Sequence, residues 1–279
     1  MAGEMTVQFA LPAAISFGVA DFAGGLATRR TSATLAVIAA AQLAGAAALL
    51  PALLLLPGRP SALAAGVGAL AGLAGSCGLV LYFRGLAHGP MGLVAPLSAL
   101  TGAGLPLVVG VMAGESVGPM TVGGIALALL AIALATVGTS QDRAAARGLL
   151  LGLGSGVGFG LFFVALNATS PDSGLWPLLA AKVASVVVFG SLVLARDSAG
   201  EALWRRWGLI GLSGMTDMVA NILFLLATRN GALSVSAVVV SLYPVVVVIL
   251  ARLVLHERLT GRQTTSVALA LAASALLSG

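Results

Sequence analysis

Three polar residues inside one apolar run carry the first chemical signal. Ser213, Asp217 and Asn221 lie four residues apart in an otherwise hydrophobic stretch. On a helix, positions i, i+4 and i+8 share a face, so a hydroxyl, a carboxylate and an amide line up as a stripe. A carboxylate at the centre of a bilayer costs ~2.5 kcal/mol or more on insertion scales, so it faces protein or water. The stripe reads either as a structural hydrogen-bond cluster or as a site for a cation or a proton. Asp21 is a second carboxylate inside an apolar run, open to a cavity role or a structural ion pair. Arg84 and Lys182 are the cations that could partner it. Arg84 follows Tyr82 near the end of its run, and Lys182 sits near the start of another. From both places a long side chain is expected to snorkel to the interface. Gln42 reads as interhelical glue. Asn167, Ser98, Ser241 and Tyr243 are further cavity candidates.

Other chemistries find little support. Glu115 and Glu257 sit in turns ahead of the last apolar run of each half. Thr260 and Gln263 have the spacing of a capping box, so Glu257 reads as part of a helix entry. His88 and His256 both lie at run ends, away from any metal-ligating set. The many glycines stand in no strand–turn–helix context, so a phosphate-cradling loop is not expected. They read as close helix packing in lipid. The every-second-residue run at 152–160 could also open a cavity wall or a hinge. No enzyme activity and no cofactor are expected.

The elements that position these residues are membrane spans. Of 279 residues, 59% are hydrophobic and 8% charged, where a soluble domain carries about 25% charged. Net charge is +5, but the arginines stand singly or in pairs between apolar runs, the pattern of membrane anchoring rather than of nucleic-acid binding. The single Cys77 excludes an intramolecular disulfide. No basic stretch precedes the first apolar run, so no cleaved signal peptide is expected. Ten spans are predicted, at 7–28, 33–56, 62–86, 90–112, 117–138, 148–168, 175–195, 207–228, 232–255 and 261–278. They are too long for barrel strands, and helices alone remain to satisfy the backbone in lipid.

The chain also repeats itself at an offset of 142 residues. Phe17-Gly18 matches Phe159-Gly160, Gly89 matches Gly231, Ala95 matches Ala237 and Glu115 matches Glu257. The run from Ile125 matches that from Val267. The fold class is therefore an all-α membrane protein, ten transmembrane helices in two five-helix repeats, 1–140 and 146–279. Five is odd, so the repeats enter the membrane in opposite senses, a recurrent transporter design with its site between the halves. The polar stripe does not repeat. Its first-half equivalents are Ala71, Gly75 and Leu79, and that of Asp21 is Phe163.

At this level the sequence resembles the EamA-type branch of the drug/metabolite transporter superfamily. The resemblance rests on Gly231, Ser236, Ser241-Leu242-Tyr243-Pro244 and His256-Glu257-Arg258-Leu259-Thr260, with Gly89, Ala95-Pro96-Leu97-Ser98 and Gly114-Glu115 in the first half. Phe17-Gly18-Val19-Ala20-Asp21-Phe22 with Arg29-Arg30 resembles a bacterial subgroup. The sequence departs from the pattern at Gly102, where the second half has Pro244. The resemblance implies a secondary carrier, often an exporter, of small metabolites such as amino acids or drug-like compounds. It also implies a central cavity lined mainly by the first, third and fourth spans of each half. The cavity set expected here is Asp21, Tyr82, Arg84, Ser98, Ser213, Asp217, Asn221 and Tyr243. Expected partners are a small-molecule substrate, the lipid bilayer and coupling protons, in a monomer or homodimer of the inner (plasma) membrane, without nucleic acid. The competing class is a non-transporting scaffold or a lipid-handling membrane protein.

Overall fold

Long apolar runs have one economical conformation in lipid, because a helix satisfies its backbone groups internally. The computed structural model describes residues 2–31, 33–89, 91–112, 143–195, 206–230 and 243–256, with isolated positions between 119 and 130, at 236 and 240, and between 261 and 272. Every regular element among the described residues is helical. The α-helices are α1 (Ala2–Arg29), α2 (Thr34–Leu55), α3 (Ala62–His88), α4 (Met91–Met112), α5 (Arg143–Asn167), α6 (Trp176–Leu194), α7 (Trp207–Asn230) and α8 (Tyr243–Leu255). Six of them, all but α4 and α8, contain a stretch long and apolar enough to cross a membrane. Most of the spans expected at 117–138 and 261–278, and the residues Glu115, Glu257, Thr260 and Gln263, lie outside the described residues.

Short polar punctuation ends the helices. The Ser61 hydroxyl accepts a hydrogen bond from the Ala64 amide at 3.1 Å and caps the start of α3. A 3₁₀ turn, Pro171–Ser173, follows α5, and Gly174 leaves it in the left-handed region at φ 55°, where a side chain would be strained.

Those turns define two ends of the bundle. At one end the Arg29 guanidinium donates to the Leu86 carbonyl and to the Gly89 carbonyl, both at 2.6 Å. Gly89 there packs on Gly148 near the start of α5. At the other end the Arg59 amide donates to the Asp172 carbonyl at 2.8 Å, and Trp176 Nε1 donates to the Gly58 carbonyl at 3.3 Å. Thus α1 finishes at the Arg29 end and α5 begins there, so the two helices run in opposite senses.

Glycines set how closely the helices approach. A β-carbon on Gly72 of α3 would overlap the Ala181 carbonyl of α6, and one on Gly214 of α7 would overlap the Ala41 carbonyl of α2. Gly72 and Gly214 are 142 residues apart, so equivalent glycines make exchanged contacts. Gly18 of α1 presses on Tyr243 and Val246 of α8, while Gly160 of α5 presses on Gly102 and Leu105 of α4. The same exchange appears between whole helices, with α1 packed on α7 and α3 on α5. One apolar cluster, including Leu26, Leu86, Met91, Val247 and Ala251, fills the Arg29 end. A second, including Leu49, Leu166, Leu175, Leu178 and Leu225, lies toward the Arg59 end.

Candidate functional site

Between those clusters the helices part around a cavity of about 130 Å³. All eight helices contribute to its wall: Phe17 and Asp21 from α1, Gln42 from α2, Gly72, Gly75 and Leu79 from α3, Ser98 through Pro106 from α4, Phe159, Phe162 and Phe163 from α5, Lys182 and Ser185 from α6, Asp217 and Asn221 from α7, and Tyr243 from α8. On α1 these residues lie well before Arg29, and on α6 the lining begins at Leu178, within the first turn after Trp176. At 1.5 Å of rise per residue the cavity therefore runs from mid-bundle toward the Arg59 end.

One wall is polar. Lys182 Nζ donates to Asp217 Oδ2 at 2.7 Å and to Gln42 Oε1 at 2.6 Å. Asn221 Nδ2 donates to the Asp217 main-chain carbonyl at 2.8 Å and lies 3.2 Å from Asp217 Oδ1. The i, i+4 spacing on α7 produces that second contact, since it sets the amide one turn above the carboxylate. Three helices thus meet in one charge cluster. Both line the cavity, with the Lys182 side chain 9% exposed and that of Asp217 26% exposed, so the carboxylate is the more accessible partner.

The second carboxylate belongs to a different set. Tyr82, fully buried on α3, donates to Asp21 Oδ2 at 2.8 Å. Elsewhere in the wall, Ser155 Oγ of α5 donates to Ser98 Oγ of α4 at 2.8 Å.

The facing wall is aromatic. The Phe163 ring packs against Phe224 at a centroid distance of 4.8 Å, Phe162 at 5.4 Å and Phe17 at 6.5 Å. The two walls descend from the repeat. Asp21 and its equivalent Phe163, Asp217 and Gly75, and Asn221 and Leu79 all line this cavity. In each pair one member is polar and the other is not.

Of the residues expected from sequence, Asp21, Ser98, Asp217, Asn221 and Tyr243 line the cavity. Ser213 is buried beside a smaller void of about 20 Å³ that also touches Asp21, Gln42 and Asp217. Tyr82 stands behind Asp21 and is absent from the cavity wall. Arg84 does not belong to the cavity set: it is exposed near the end of α3, as the snorkelling reading expected. The expectation that Lys182 snorkels is overturned, because Gln42 and Asp217 supply the polar surroundings that an interface would have offered. Gln42, assigned to helix packing, contributes its carbonyl oxygen to that cluster. Ser185 was not anticipated; it lines the cavity and bonds to Ser76 at 2.9 Å.

Membrane-length helices enclosing a mainly apolar cavity with a charged cluster in its wall define the class, a multi-pass helical membrane protein. Residues 146–279 match the EamA-like transporter family, a family of the drug/metabolite transporter superfamily. A solved structure, described only as a crystal structure of a protein, superposes over 96% of this chain and 95% of its own with a TM-score of 0.68. At 16% identity that likeness is one of fold. No curated protein matches the sequence.

Proposed function

We propose that the protein is a secondary carrier that exports small metabolites, such as amino acids or drug-like compounds, by alternating access around this cavity. The observation that carries the proposal is a buried, ion-paired cluster facing a cavity walled by helices from both halves. Such a cluster is expensive in a bilayer unless it serves a water-filled path. The full scaffold in this reading is ten helices in two inverted repeats. The opposed senses of α1 and α5, and the exchanged contacts of Gly72 and Gly214, support it. An inverted pair of halves allows one set of contacts to form at one end while the equivalent set opens at the other. In this reading protons drive export, the protein resides in the inner (plasma) membrane, and it works with a small-molecule substrate as a monomer or homodimer. The aromatic wall would hold the apolar part of the cargo while the polar wall orients its charged or hydrogen-bonding part.

A thermal-shift screen of the purified protein across amino acids, amines and nucleosides identifies ligands. Uptake of each hit is then measured in proteoliposomes under an imposed pH gradient. Saturable uptake that collapses with the gradient is expected. Hits that stabilise the protein yet enter no faster than into empty liposomes would sink the carrier reading.

A further inference from the structure

The cavity wall carries two carboxylates and, among the described residues, one cation. That cation is already committed. Lys182 sits 2.7 Å from Asp217, and Asn221 supports the same carboxylate. Asp21 has a different environment. The titratable and charged groups facing it from neighbouring helices are Tyr82 of α3, Tyr243 of α8, Asp217 of α7 and Lys182 of α6. Its direct bond is to a neutral hydroxyl, Tyr82, at 2.8 Å. A half-buried carboxylate bonded only to a neutral hydroxyl is less favourable as an ion than one paired with a cation, and a mobile positive charge relieves it.

We infer that Asp21, and not Asp217, loads and releases the coupling proton, and that the Tyr82 hydroxyl holds its ionised form. This assignment rests on the carrier reading and sharpens it. When Asp21 is ionised, Tyr82 donates to it. When a proton from cavity water binds Asp21, the carboxyl gains an O–H of its own and Tyr82 loses that acceptor. No bond other than the new O–H is made, and deprotonation to water restores the first arrangement. Asp217 differs, because neutralising it would strand the Lys182 ammonium 2.7 Å away.

The test needs no cargo. A cysteine is placed in the cavity wall as Ala103→Cys in a Cys77→Ala background, and its rate of maleimide labelling is followed against pH. Rates are normalised to Asp172→Cys in the exposed loop, so thiol ionisation cancels. A one-proton step in the normalised rate is expected. Asp21→Asn should lose that step. The charge-matched pair Lys182→Met with Asp217→Leu should keep it, whatever the change in absolute rate. Tyr82→Phe, which keeps the ring volume, removes a donor to the carboxylate form and should move the step to higher pH. This variant decides the matter if Asp21→Asn does not fold. A flat profile in the background, a step that survives Asp21→Asn, or an unmoved step in Tyr82→Phe would overturn the assignment. So would a flat profile in which tetramethylammonium slows labelling, since Asp21 would then hold a cation rather than a proton. An intact step with no uptake in proteoliposomes defeats the carrier reading alone. Gradient-driven uptake that persists in Asp21→Asn defeats the assignment alone.

Discussion

A buried lysine decides most of what the polar wall can do. Lys182 neutralises Asp217, engages Gln42 and leaves Asp21 outside the pair. Removing one partner of a buried pair leaves the other uncompensated, which is worse than removing both. Lys182→Met should therefore lower stability by about 3 kcal/mol, eased by access of Asp217 to cavity water, and Lys182→Met with Asp217→Leu should recover much of that loss. Thermal unfolding in detergent checks it, and a double variant less stable than the single one would contradict the pairing. Half of this cluster was legible in the sequence. Asp217 and Asn221 stand one helical turn apart, and that spacing alone puts them on a common face. Lys182 was not legible. One turn and a half into a span, its side chain can reach an interface as readily as an interior. What settled its direction is Gln42, on another helix and in the other half of the chain, and no local pattern reports that proximity. Arg84 failed for the complementary reason, since its neighbours Tyr82 and Phe83 are buried while the guanidinium itself lies on the outward face of α3.

Glycine spacing governs the fit of the helices. In the run from Gly152 to Gly160, positions 152, 156 and 160 form an i, i+4, i+8 row that meets α4 at Val94, at Ser98 and Thr101, and at Gly102 and Leu105. Gly158 turns instead to Gly78 of α3. An every-second-residue pattern on a helix thus splits into two packing faces, and α5 uses one for each first-half neighbour. Tight packing was legible beforehand, because so many small residues in lipid-spanning runs have few other uses. The sequence did not separate the faces, since that requires knowing which helices flank α5. Gly72→Ala and Gly214→Ala should each destabilise by about 2 kcal/mol, because the added methyl meets a main-chain carbonyl that cannot rotate away. Gly66→Ala, with nothing within 4 Å of the new carbon, should be neutral or slightly stabilising. Melting temperatures of the three variants in one detergent check the contrast. Similar losses at Gly72 and Gly214, with none at Gly66, are expected if the two halves use equivalent seams. A loss at only one of the two would mean that the exchanged contacts are not energetically equivalent.

The orientation of the whole molecule follows from charge. Arg29, Arg30, Arg143, Arg147, Arg196, Arg205, Arg206, Arg258 and Arg262 fall in the connections expected at one membrane face, and Arg59 and Arg229 at the other. The packing agrees where it is described. Arg29 at the end of α1 meets the end of α3 at Leu86 and Gly89, and Gly89 packs near Arg147 at the start of α5. Arg59 meets Asp172 at the opposite end. Arginine-rich short connections stay in the cytoplasm, so the Arg29 end should face inward and the Arg59 end outward. Both termini would then lie outside on a ten-span count. The same assignment has a consequence for the cavity. It extends from mid-bundle toward the Arg59 end, while the Leu26, Leu86 and Met91 cluster and the Arg29 clamp fill the other end. The arrangement would therefore be closed to the cytoplasm. Cysteine labelling of intact cells tests this in a Cys77→Ala background. An impermeant maleimide outside the cell should modify Asp172→Cys and should spare Ser198→Cys until the membrane is permeabilised. The reverse pattern would put the arginine-rich connections outside and the cavity on the cytoplasmic side.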